Sequence, residues 1–136
     1  MDLMQAMEAA AKGMKVQGVR MRVISQNLAN ADTTGRTPEE MPYQRKLVTF
    51  KNILDRKTGA ENVSVDRILR DQSDFRLKFD PHHPAADAQG YVRLPNVNAL
   101  IEMMDMREAQ RSYEANLGII DMTRTMLNRT IDLLRS

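Results

Sequence analysis

The chain is predicted to be an α+β protein: two long terminal α-helices pairing as a coiled-coil-like hairpin around a small β-rich middle segment. Two observations predict the helices. From Leu3 an apolar spine runs through Met7, Ala10, Met14, Gln17, Met21, Ile24 and Leu28. A second runs Ala99, Met103, Met106, Gln110, Tyr113, Leu117, Ile120, Arg124, Leu127, Ile131 and Leu134. Every step is three or four residues, the spacing that holds a seam on one side of a helix. A third observation predicts the middle, where the period falls to two: Phe75, Leu77 and Phe79 alternate with Arg76 and Lys78.

The first helix is predicted over Leu3–Ala29. Asp2 and Gln5 have the spacing of a reciprocal cap, each side chain serving an orphan amide of the other. Gly13 and Gly18 cost about 1 kcal/mol each relative to alanine, so the isolated arm is expected to fray. Asn30 to Pro42 supplies turn chemistry through Asn30, Asp32, Gly35, Pro38 and Pro42. Strands are predicted near Tyr43–Phe50, Val63–Leu69, Phe75–Phe79 and Tyr91–Leu94. Five of the six aromatic residues lie in this middle stretch, which predicts a small core of its own. Pro95 ends the last strand, and Asn96 or Asn98 caps a second helix that continues to about Leu134. The expected division is residues 1–30 as an N-terminal helical arm, 31–95 as polar loop plus β-rich segment, and 96–136 as a C-terminal helical arm.

At 1.5 Å per residue the arms are about 40 Å and 57 Å long, more than 136 residues can wrap in their own core. The apolar spines are therefore expected to be completed by other subunits. The expected assembly interface is Leu3, Met7, Met14, Met21, Ile24 and Leu28 on the first arm. On the second it is Met103, Met106, Tyr113, Leu117, Ile120, Leu127, Ile131 and Leu134. Ten of the eleven methionines sit in the arms, and methionine adapts to non-equivalent partners, although gap-filling in a helical core is the commoner use. Arg124 interrupts the second spine, either snorkelling or meeting an acid across an interface.

Composition excludes several classes. There is no cysteine, hence no disulfide, thiol catalysis or thiolate metal site. The net charge of +2 comes from interspersed charges with no polybasic block, which argues against nucleic acid as partner. No apolar run is long enough to span a membrane. The N-terminus lacks the basic segment of a cleaved secretory signal, so any export is expected to leave it uncleaved. His82 and His83, flanked by Pro81 and Pro84, point to opposite sides of an extended segment, unsuited to joint chelation. No acid is paired with a nucleophile and no phosphate-cradling loop is present, so neither catalysis nor a cofactor is expected.

The segment Ser25-Gln26-Asn27-Leu28-Ala29-Asn30-Ala31-Asp32-Thr33-Thr34 resembles the S-x-N-[LI]-A-N-x-x-T motif of bacterial flagellar rod and hook proteins. The run from Asp80, Pro81, His82 and His83 through Gly90, Tyr91, Pro95, Asn96 and Asn98 is similar to the small proximal rod members of that family. Glu102-Met103-Met104-Asp105-Met106 and Arg111-Ser112-Tyr113-Glu114-Ala115-Asn116 continue the likeness, which covers nearly the whole chain. Distal rod and hook members carry larger inserted domains, for which this length leaves no room; other small proximal rod proteins are the nearest alternatives. Asn27, Asn30, Thr33 and Thr34 are expected to shape the exit from the first helix by local amide bonding.

The resemblance implies a non-enzymatic structural subunit that polymerises through its terminal helices into the basal-body rod, forming drive shaft and export-channel wall. It implies passage through the flagellar type III export apparatus, assembly in the periplasm, and partners that are other rod proteins and copies of the same chain. A soluble helical adaptor that binds one partner helix in a methionine-rich groove is the alternative from another class.

Overall fold

A computed structural model describes residues 2–136; Met1, one of the ten arm methionines, lies outside the described residues. The element order is α1 (Leu3–Ala29), β1 (Lys46–Leu54), β2 (Glu61–Arg70), β3 (Arg76–Phe79), β4 (Tyr91–Leu94) and α2 (Ala99–Arg135). β1 pairs with β2, and β3 with β4.

Both helix starts are capped by the side chains at their head. Gln5 N–H donates to Asp2 Oδ1 at 2.7 Å and Asp2 N–H to Gln5 Oε1 at 3.3 Å, the reciprocal arrangement expected. Asn98 Oδ1 accepts from the amides of Leu100 and Ile101 at 3.0 and 3.4 Å, so Asn98 is the cap of α2. Asn96 has a different task. Its Nδ2 donates to the carbonyls of Asp71 and Ser73 while its Oδ1 accepts from Arg45 N–H, tying three loop segments.

The chain forms two compact units. The first contains residues up to Met21, Thr49–Arg67 and Arg107–Ser136. Here α1 and α2 run antiparallel: Gly13 meets Asn116, and Arg20 Nη1 reaches Glu108 Oε1 at 3.5 Å. Ala10, Val16, Ala109 and Thr123 are buried between the elements. A Cβ on Gly13 would lie 2.8 Å from Asn116 Nδ2, an atom already committed to Ser112 O at 3.0 Å. Gly18 has nothing within 4 Å of its own imaginary Cβ. Gly18→Ala is therefore expected to raise stability by up to about 1 kcal/mol by helix propensity. Gly13→Ala should lose that gain to the displaced Asn116, and parallel denaturant titrations of the two variants check the contrast.

The second unit contains Arg22–Val48 and Ile68–Met106. Its core is small: Val23, Ile24, Ala31, Ala85, Val92, Pro95 and Val97. The aromatics do not form the core expected of them. Phe50, Phe79 and Tyr91 are exposed, while Tyr43 and Phe75 are half-buried. The alternation in β3 does not give a half-buried strand: all four residues are exposed, Leu77 and Phe79 each 63%. Register explains this. Lys78 lies opposite Val92, and Phe79 opposite Tyr91, so Val92's buried face carries the polar residues of β3. Arg76 fixes that choice by donating to Ala31 O at 2.7 Å and to Pro95 O at 3.1 Å. Tyr91 meets Phe79 edge-on at 5.3 Å on the outward face.

Candidate assembly interface

The helix α2 carries two distinct seams. Glu102, Met106, Ala109, Tyr113, Asn116, Ile120, Thr123 and Leu127 are all buried or half-buried, at alternating steps of four and three. Four of these (Met106, Tyr113, Ile120 and Leu127) belong to the expected spine. Their seam partners sit one residue earlier than expected: Glu102, Ala109, Asn116 and Thr123 are turned inward, where Met103, Gln110, Leu117 and Arg124 were expected. Half of the inner seam is thus small or polar, which lets the helices approach closely at those positions, while Met103 and Leu117 of the expected spine are left outside.

On the outside, Ala115, Ile119, Met122, Met126 and Leu133 recur at three-, four- and seven-residue steps, about 110° around the helix from the inner seam. Met122 is 65% and Leu133 77% exposed. Met103, Leu117, Ile131 and Leu134 are exposed as well. Around α1 the buried residues Ala10, Gly13, Val16, Val23, Ile24 and Asn27 centre about a quarter turn from the expected spine. Leu3, Met7, Met14, Met21 and Leu28 therefore flank that face, half-buried, and of the spine Ala10 and Ile24 lie within it. Sequence periodicity located half of the inner side of α2 and missed the rest, because Glu102, Ala109, Asn116 and Thr123 are small or polar and carry no apolar signal.

In the second unit a polar hub holds the ends of the helices to the loops. Asn27, fully buried, accepts from Lys46 N–H at 2.9 Å and donates to Lys46 O at 2.9 Å, so its amide replaces a strand neighbour. The same side chain accepts from Tyr43 Oη at 2.8 Å and donates to Glu102 Oε2 at 3.3 Å. The local role expected of Asn27 is thus replaced by a long-range one; a side chain facing a neighbouring segment cannot also serve its own turn. Asn30 and Thr33 act locally as expected, through Asn30 Nδ2 to Gln26 O and Thr33 Oγ1 to Asn30 Oδ1. Thr34 reaches away, to His83 Nε2 at 3.2 Å. His83 Nδ1 accepts from Ala85 N–H at 3.0 Å, which places the ring proton on Nε2 and makes Thr34 Oγ1 the acceptor.

Arg45 completes the hub and was given no role by the sequence, being one of 20 basic residues with no motif around it. Its Nε binds Glu102 Oε1, its Nη2 lies 3.4 Å from Asp105 Oδ2, and its Nη1 lies 3.6 Å from Asp71 Oδ2. Burial works against the guanidinium charge, but the bond to Glu102 and the three carboxylates outweigh it and raise its pKa. Tyr43 is raised by burial and then by the Glu102 charge. Asp71 is lowered, first by the amide and hydroxyl of Ser73 and also by Arg45. Asn27→Ala would leave the Lys46 amide and carbonyl and the Tyr43 hydroxyl without their partner. The expected cost is about 2–3 kcal/mol, read from the midpoint of chemical denaturation.

The remaining motif residues shape turns. Asp80 N–H donates to Gly90 O at 2.9 Å, and Gly90 has φ +88°, with Phe79 and Pro81 against it where a Cβ would sit. Asp87 Oδ1 accepts from Tyr91 N–H at 2.9 Å. Glu114 is exposed on α2. Among the described residues no group of three or more acids and histidines is placed to hold a metal ion. No helix of the described residues is long and apolar enough to cross a membrane.

These features meet known proteins at defined places. Residues 7–35, α1 and its exit, match the family described as flagella basal body rod protein. Residues 88–133, β4 and nearly all of α2, match the flagellar basal body rod FlgEFG protein C-terminal family. The flagellar basal-body rod protein FlgC of Agrobacterium fabrum is 51% identical over 134 residues, covering 98% of this chain and 96% of the relative. The chain belongs to the FlgC family of flagellar basal-body rod proteins. FlgC of Bacillus subtilis is 39% identical with 98% and 99% coverage, and FlgC of Borreliella burgdorferi 37% with 99% of both. In this FlgC-family chain the two matched segments are the helices with their capped or hydrogen-bonded ends. Residues 36–87, outside both family matches, hold β1–β2 and β3. The family is one of structural rod proteins, not of enzymes.

Proposed function

We propose that the chain is a proximal rod subunit that polymerises through its terminal helices, with copies of itself and other rod proteins, into drive shaft and export-channel wall. The observation that carries this reading is the second apolar stripe of α2, which lies outside its own hairpin. Such a stripe is covered only by neighbours. Met103, Leu117, Ile131 and Leu134, together with Ile119, Met122, Met126 and Leu133, are available for such contacts in the monomer. The flanking residues Leu3, Met7, Met14, Met21 and Leu28 on α1, and Met106, Tyr113, Ile120 and Leu127 on α2, lose their remaining exposure when neighbours stack. Export proceeds through the flagellar type III apparatus without signal cleavage, and assembly takes place in the periplasm.

The test is location. An epitope-tagged chain is expected to co-purify with detergent-extracted basal bodies, at constant ratio to the rod, carrying its original N-terminus. Recovery only in the soluble fraction of motile cells would overturn the proposal.

A further inference from the structure

The first unit leaves two complementary features apart. One is the end of α2. Gly13 lies beside Asn116, and antiparallel pairing carries every later residue of α2 toward and then past the start of α1. From Asn128 onward all residues are exposed, including Ile131 and Leu134, which prolong the inner seam after α1 has ended. The other is a groove of about 530 Å³ on α1, floored by Val16, Val19 and Val63 and rimmed by Lys12, Lys15 and Asp55. That volume suffices to bury a few aliphatic side chains.

We propose that this groove receives the α2 end of a second copy. The inference rests on the rod-subunit reading and names one partner for it. Charge is complementary at the rim: Asp132 and the carbonyls of the helix C-terminus face Lys15 and Lys12, the latter also paired with Glu8, while Arg135 faces Asp55. The groove cannot be filled from its own chain. Leu134 lies 18 residues beyond Asn116, about 27 Å farther along a rigid helix that leads away from Lys15. Donor and acceptor surfaces differ, so the contact is head-to-tail and propagates into an open polymer instead of closing as a dimer.

Carbodiimide coupling of the wild-type protein tests this, using an equal mixture of heavy-nitrogen and unlabelled copies under conditions where light scattering reports assembly. Lys12 and Glu8, 2.6 Å apart on one helix, give an internal coupling standard within each copy. The expected result is amide-linked Lys12 or Lys15 to Asp132 in mixed-isotope peptides. Val65→Glu, at the groove wall, should reduce that link at least about tenfold relative to the Lys12–Glu8 standard. Assembly without the Asp132 link, or with that link only in single-isotope peptides, would overturn the groove and leave the rod-subunit reading standing. Absence of assembly at every concentration would overturn the groove contact as well, while the rod-subunit reading falls only with the location test above.

Discussion

Arg45→Ala is expected to destabilise the subunit by about 3–5 kcal/mol, the cost of leaving a buried charge without its partner. Glu102 is 1% exposed and its two oxygens are held by Arg45 Nε and Asn27 Nδ2. Removing the guanidinium leaves that carboxylate with one amide donor, and leaves Asp71 and Asp105 facing it without Arg45 between them. The magnitude is large because water cannot take the place of the lost partner. A matched double variant separates this mechanism from loss of packing. Arg45→Met with Glu102→Leu removes both charges and keeps the volume, so most of the stability should return. Urea denaturation of the three proteins gives the answer. If Arg45→Ala costs less than about 1 kcal/mol, Glu102 is not held by this pair and the hub is an exposed ion cluster of little worth.

The hub also shows why part of the fold was legible in the sequence and part was not. Helix limits were legible because they depend on neighbours in sequence: Asp2 with Gln5, and Asn98 with the amides just after it. The four strands were placed within a few residues for the same reason. What was not legible is which face each element turns inward. Periodicity places a stripe of methionines on α2, but the decision to bury Glu102, Ala109, Asn116 and Thr123 instead was made by Gly13, Asn27 and Arg45, residues distant in the chain. In β3 the apolar alternation is present but buries neither face, and the face beside Val92 is held by Arg76 through two carbonyls of other segments. Of the expected assembly residues, those at the far end of α2 stayed outside because α1 has ended there, a consequence of helix lengths that the sequence did display.

Leu117→Asp and Met122→Asp are expected to abolish swimming while leaving the monomer folded. The two positions lie on the outer surface of α2, 42% and 65% exposed, away from Asn116 and Thr123, which face α1. A charge there costs the isolated subunit about 0.5 kcal/mol or less, because water still reaches it. In an assembled shaft the same carboxylate would be sealed among apolar neighbours with no partner, a penalty of several kcal/mol at each equivalent interface. Because a polymer repeats the interface, the penalty recurs with each added subunit and assembly stops. Ile120→Asp should behave differently, for Ile120 is half-buried on the inner seam and its replacement lowers monomer stability as well. Circular dichroism of the purified variants, export assays on culture supernatants and motility in soft agar distinguish the outcomes. Normal swimming by both outer variants would show that these faces of α2 meet solvent in the rod, and the assembly contacts would then have to lie on α1 or on the exposed Leu77–Phe79–Tyr91 face of β3 and β4.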